Sequence, residues 1–346
     1  MTIDKKFIDL FHNVSSMAAL ASYKFIGKKD KISADQAAVD AMRTELNKIK
    51  MKGKIVIGEG ELDEAPMLFI GEELGSSNKP CFDIAVDPLE GTNFVANNLP
   101  GALSVIAASE QSKLFSAPET YMDKISSNVL EPNVIDLDFD IKKNIFNLAE
   151  FKNKKPDELT VCILDRPRHK KKINELMKLK VKLKLISDGD VSGALLVTNE
   201  NYGVDLFLGI GGGPEGVLAA TALDAFECNF QGRFIFRTEK DKLRATKMGV
   251  KDFNKKYELK EIISGDSIFC ATGVTSGDLV SGIKIEKDKF VSETLITHKS
   301  SKLKKIIPEL NNLAEDVIEQ IEIEAKYTGY LDRQRMDISD FQKEIK

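Results

Sequence analysis

The chain has 346 residues, and its 54 acidic and 50 basic side chains leave a net charge of −4, so no basic field is present to recruit nucleic acid or an anionic membrane. With 42% hydrophobic and 30% charged residues it reads as a globular protein with a sizeable core, long enough for two domains at ~150 residues each. No apolar run approaches ~18 residues, and Asp9, His12 and Asn13 interrupt any leader-like core, so a cytoplasmic protein is expected.

Phe7, Leu10, Phe11, Val14, Met17, Ala18 and Ala21 recur at helical spacing and predict a helix over 4–26, with Gly27 as its C-cap. Ala38, Met42, Leu46 and Ile49 predict a second helix over 34–49, which puts Asp35 in its first turn, where Ser33 or Asp35 would serve as a plain N-cap. Strands follow at 55–57, 82–86 and 103–107, with a helix starting near Pro66 between the first two. The polar segment 151–157 reads as a boundary. Beyond it strands at 159–164, 181–186 and 204–210 alternate with helices at 168–179, 191–198 and 214–223, the pattern of a doubly wound α/β unit. From 303 to 325, Ile307, Leu310, Leu313, Val317, Ile321 and Ile323 return at near-helical spacing, with Pro308 in the first turn or breaking it.

Chemistry gathers at strand ends. Asp87-Pro88-Leu89-Glu90-Gly91-Thr92 closes the 82–86 strand with two carboxylates and a hydroxyl in one turn. Gly58-Glu59-Gly60-Glu61 closes the 55–57 strand. Buried carboxylates need hydrogen bonds, ion pairs or a metal, and hard oxygen ligands with a nearby hydroxyl suit Mg²⁺- or Mn²⁺-dependent phosphate-ester hydrolysis. An acidic turn capped by Pro and Gly is the plainer alternative. Cys81, Cys162, Cys228 and Cys270 all lie in apolar strand-like runs without a C-x-x-C pair, and His12, His169 and His298 are scattered, so any metal site should be carboxylate-built.

Gly211-Gly212-Gly213-Pro214-Glu215-Gly216 satisfies G-x-G-x-x-G and invites a nicotinamide-dependent oxidoreductase reading. Glu215 argues against it, because a carboxylate at that helix start repels a pyrophosphate and suits a cation. Arg166-Pro167-Arg168-His169 offers two guanidinium groups at a helix start for a phosphate, or else a surface ion-pairing patch. Asp188-Gly189-Asp190 is an acidic turn or a set of acceptors for hydroxyls. Tyr121 is a phosphate donor or a half-buried ring.

Together with Ala271-Thr272-Gly273-Val274-Thr275-Ser276-Gly277-Asp278-Leu279, these motifs resemble in order those of the bacterial class II fructose-1,6-bisphosphatases, over roughly residues 10–300. That family is similar to the lithium-sensitive sugar and inositol phosphatases. The resemblance implies a layered α-β-α-β-α sandwich, mixing α/β and α+β, with the active site in a cleft between two domains: an N-terminal metal-binding domain, 1–156, and a C-terminal substrate-binding domain, 157–346, extended from about 303. It implies hydrolysis of the 1-phosphate of fructose 1,6-bisphosphate with two or more Mn²⁺ or Mg²⁺ ions. Asp35 and Glu59 would hold one ion, and Asp87, Glu90 and Glu215 another. Thr92, with Glu61, would position the attacking water. Glu90, Gly91, Thr92, Tyr121, Arg166, Pro167, Arg168, Asp188, Gly189, Asp190 and Gly212 would contact substrate, the two arginines taking the 6-phosphate. A sugar bisphosphate is thus the expected partner, without nucleic acid or membrane, in a homo-oligomer, dimer or tetramer. Sedoheptulose 1,7-bisphosphate is the nearest rival substrate, ahead of an inositol or nucleotide monophosphate. A non-catalytic sugar-phosphate-binding module is the last alternative.

Overall fold

The computed structural model describes residues 2–58, 68–286, 289–301 and 303–307. In chain order the helices are α1 Lys6–Tyr23, α2 Lys31–Lys48, α3 Thr92–Ala96, α4 Ile141–Phe151, α5 Lys170–Lys178, α6 Asp190–Leu195, α7 Gly213–Ala225, α8 Glu239–Lys247 and α9 Leu259–Ile262. The strands are β1 Lys52–Ile57, β2 Glu73–Leu74, β3 Cys81–Glu90, β4 Leu103–Glu110, β5 Tyr121–Ser127, β6 Thr160–Leu164, β7 Lys182–Ile186, β8 Leu206–Gly212, β9 Asn229–Ile235, β10 Lys256–Glu258, β11 Ser267–Gly273, β12 Lys284–Glu286, β13 Lys289–Val291, β14 Thr294–His298 and β15 Leu303–Ile307.

Among the described residues these strands form a seven-stranded sheet, β15-β14-β11-β4-β3-β1-β2, a six-stranded sheet, β10-β9-β5-β8-β6-β7, and the small ribbon β12-β13. Three apolar cores define five layers. One joins α1 and α2 to the first sheet through Phe7, Phe11, Val14, Ala18, Met42, Leu46, Ile84 and Val86. The central core packs α6 and α7 between the sheets, and the third packs α4 and α5 on the far face of the second sheet. This is the expected α-β-α-β-α sandwich. α7 is enclosed on all sides, as a helix between two sheets must be: Val217 to Ala225 are buried without a break, Asp224 among them through ion pairs with Lys260 and Lys299.

Local readings change in four places. Asp30, not Ser33 or Asp35, caps α2 by accepting the Ser33 amide at 3.0 Å, which moves Asp35 just beyond the first turn. α1 ends at Tyr23, and Gly27 instead serves a later turn in which its amide reaches the Val95 carbonyl. The doubly wound pattern holds only for the parallel trio β7-β6-β8, because β5, β9 and β10 pair antiparallel. Residues 303–307 form a strand, since hydrogen bonding along the edge of β14 outweighs their helical spacing. The helix expected near Pro66 and the rest of the 303–325 segment lie outside the described residues. Sheet membership does not follow a division at 156: β5 belongs to the second sheet, whereas β11, β14 and β15 return to the first.

Candidate active site

Successive β3 residues fall into alternate cores, Ile84 and Val86 toward α1 and α2, Ala85 toward the centre. The two-residue period therefore puts Asp87 on the central face. β3 ends at Glu90, and Gly91 turns the chain into α3 at φ +83°, a conformation glycine adopts without steric cost. Glu90 is 4% exposed. Its Oε1 accepts the Val191 amide at 2.6 Å, tying this turn to α6, while its Oε2 has no hydrogen-bond partner among the described residues. Burial pushes the Glu90 carboxyl up to about 8; Asp190, Glu215 and Asp188 add repulsion, against the Val191 bond.

Asp190 opens α6 behind Gly189, another left-handed turn. Lys124 on β5 is 1% exposed and donates to Asp190 Oδ2 and, at 2.7 Å, to the Gly212 carbonyl. Asp190 Oδ1 has no partner among the described residues. A Cβ on Gly211 would overlap the Asp190 carboxylate, and one on Gly212 would overlap that of Glu215. Both acids thus lie against bare backbone. Burial also raises the Glu215 carboxyl, opposed by Lys124 and reinforced by Asp190 and Asp188.

The trio β6, β7 and β8 delivers the remaining groups past its carboxyl ends. Arg166 pairs with Asp188 at 3.5 Å, and Pro167 starts the short turn Pro167–His169. His169 braces this corner: its Nε2 accepts the Ile210 amide at 2.7 Å, so Nδ1 carries the hydrogen donated to the Leu164 carbonyl, also 2.7 Å. Burial lowers its pKa, consistent with that neutral ring. Tyr121 lies between β8 and β9, opposite Gly212 and Ile235. Arg168 donates from Nε to the Ile210 carbonyl at 2.8 Å, with its guanidinium 5.0 Å from the Tyr121 ring centroid. Arg237 approaches the same ring at 4.4 Å.

A cleft of about 550 Å³ opens here, lined by Asp87, Tyr121, Gly212, Glu215, Arg237 and Asp241 among others. Asp35, Glu90, Thr92, Arg166, Arg168 and Asp190 do not line it, and Asp188 lines a second cleft of about 440 Å³ beside Phe94 and Ser192. Asp35 is half-buried; burial pushes its carboxyl up to about 6, and its Oδ1 has no partner among the described residues. Glu59 and Glu61 lie outside the described residues.

Residues 6–310 match the family described as bacterial fructose-1,6-bisphosphatase, glpX-encoded. The chain belongs to that family. It is 43% identical over 297 residues to a protein of Prochlorococcus marinus (strain MIT 9515), covering 82% of this chain and 89% of the relative. It is 37% identical over 327 residues to one of Trichodesmium erythraeum (strain IMS101), covering 87% and 95%. A protein of Synechococcus sp. (strain JA-3-3Ab) is 39% identical over 314 residues, covering 84% and 90%. Each of these relatives is named D-fructose 1,6-bisphosphatase class 2/sedoheptulose 1,7-bisphosphatase.

Among the described residues, no three acid, histidine or cysteine side chains form a ready metal cage. The donors nevertheless fit divalent cations: Asp35 Oδ1 and Glu90 Oε2 are buried carboxylate oxygens without partners, and hard cations take such ligands. The glycine-rich turn carries Glu215 folded over Gly212, where a dinucleotide pyrophosphate would meet a like charge. No helix among the described residues is long and apolar enough to cross a membrane. Sequence reading missed Lys124 and Arg237. Lys124 left a trace, since it falls in strand period with Met122, which is also buried. Arg237 left none, because only the pairing of β5 with β9 brings it to Tyr121.

Proposed function

We propose that this chain is a divalent-cation-dependent phosphoric monoester hydrolase that converts fructose 1,6-bisphosphate to fructose 6-phosphate and phosphate. The observation that carries this reading is Glu90, a buried carboxyl crowded by Asp190, Glu215 and Asp188 with one oxygen unsatisfied. Asp35, Glu59, Asp87, Glu90 and Glu215 are the residues that would hold Mn²⁺ or Mg²⁺. Such ions, when bound, offset the charge of the phosphate and activate water. Arg166 and Arg168 anchor the 6-phosphate, with Pro167 setting their turn, and Tyr121 donates its phenol to phosphate. Asp188 and Asp190 accept the sugar hydroxyls, Asp190 through Oδ1. Gly91, Gly189 and Gly212 allow the backbone to approach. Thr92, first in α3, orients the attacking water with Glu61.

Sedoheptulose 1,7-bisphosphate is a second substrate on this reading, supported by the double name of the relatives. Phosphate release after chelator treatment should be absent, return with Mn²⁺ or Mg²⁺, and be faster on sugar bisphosphates than on fructose 1-phosphate or inositol 1-phosphate. Metal-independent turnover or a preference for monophosphates would overturn the assignment. Thr92→Ala should lower kcat about 100-fold with little change in KM, and Thr92→Ser should keep part of the rate, as for a hydroxyl acting on the water. An unchanged kcat would leave Thr92 only its place in the turn.

A further inference from the structure

The cleft must take a substrate with a second phosphate at the end away from the reacting one, and a guanidinium on its wall would suit that group. Its lining includes Asp87, Glu119, Glu215 and Asp241, and among the described lining residues Arg237 is the only lysine or arginine. Resting on the bisphosphatase reading above, we infer that Arg237 is a specificity-determining residue that grips the remote phosphate together with Arg168 across the Tyr121 ring.

The two guanidinium groups share one platform, Arg237 at 4.4 Å and Arg168 at 5.0 Å from the ring centroid. A guanidinium packed against an aromatic face keeps N–H edges available for a phosphate, which it binds in bidentate fashion. Among the described residues the Arg237 side chain makes no ion pair or hydrogen bond, and it is exposed to an incoming ligand. Its backbone is held in advance. The Arg237 and Thr238 amides both donate to Asp241, at 3.0 and 2.9 Å, and the Asp241 amide donates back to Thr238 Oγ1 at 3.1 Å. This capping box sets the start of α8 just after Arg237. Two residues earlier, Ile235 pairs with Tyr121 in the β9–β5 ladder. Ladder and cap thus fix both ends of the short segment carrying Arg237, so little ordering is required when the phosphate arrives.

The test measures kcat/KM for fructose 1,6-bisphosphate and for fructose 1-phosphate on one preparation of each enzyme, with Mn²⁺ present. The ratio of the two constants cancels any difference in folded fraction. Arg237→Ala should lower that ratio about 10- to 100-fold, the scale of a lost charge-assisted contact to phosphate. Arg237→Lys should keep an intermediate ratio, since lysine supplies the charge without the planar fork. A ratio equal to that of the parent in the alanine variant overturns the inference about Arg237. A parent enzyme without preference for the bisphosphate overturns the functional reading itself.

Discussion

Glu90→Gln is expected to cut phosphate release by about 10²–10³-fold, the cost of losing one charged group from a preorganised catalytic site, while leaving the metal-free protein no less stable at alkaline pH. The two effects have one cause. Folded, Glu90 keeps its proton up to about 8, whereas its ordinary value is 4.5. Between those values the folded state binds a proton that the unfolded state has lost. This contribution to stability is therefore complete below 4.5 and is lost as pH rises through 8. Asp35, raised from 3.8 to about 6, acts in the same sense at lower pH. Glutamine keeps the neutral shape and the acceptor for Val191 but cannot ionise. The metal-free parent should thus lose stability between about pH 5 and pH 9, and Glu90→Gln should lose less. Added Mn²⁺ should stabilise the parent increasingly as pH rises, because cation and proton compete for the same carboxylates. Melting curves across that range are the check. Parallel curves for parent and variant would show that Glu90 is not held neutral.

Lys124→Met should destabilise the fold by about 3–5 kcal/mol, the range for removing one partner of a buried ion pair. Methionine fills the space of the lysine stem, so the loss reads the charge and not a cavity. It leaves Asp190 buried without its cation and the Gly212 carbonyl without its donor. Asp190 and Gly212 both belong to the proposed sugar site, so activity should fall with stability. Adding Asp190→Asn to Lys124→Met should recover much of the stability but not the activity, because a neutral amide no longer needs the cation yet cannot stand in for the carboxylate. Urea unfolding of the two single variants and the double variant measures the coupling. Strictly additive effects would mean that the two residues do not depend on each other.

Much of this molecule was legible in one dimension. Phe7, Phe11, Val14 and Ala18 announce α1, and the strand ending in Asp87 and Glu90 with Gly91 after it announces an acidic turn. The alternation of strands and helices after 157 announces a helix over 214–223, where α7 lies. These features are local, and helical or two-residue periodicity records burial within a single segment. The acids at strand ends also stand out without a structure, because unpaired carboxylates beside apolar runs conflict with a purely structural role. Periodicity is silent about partners. That β5 enters between β8 and β9, and that β11, β14 and β15 return to the first sheet, was decided by contacts between segments far apart in the chain. The same contacts placed Lys124 under Asp190 and Gly212 and set Arg237 against Tyr121. At 303–307 the tertiary environment reversed the local signal, since an open strand edge offered hydrogen bonds that helical spacing could not anticipate. The acids proposed for the site could thus be nominated from the sequence alone, whereas the cations that lie beside them required the fold, because a charge pair depends on distance in space and leaves no period along the chain.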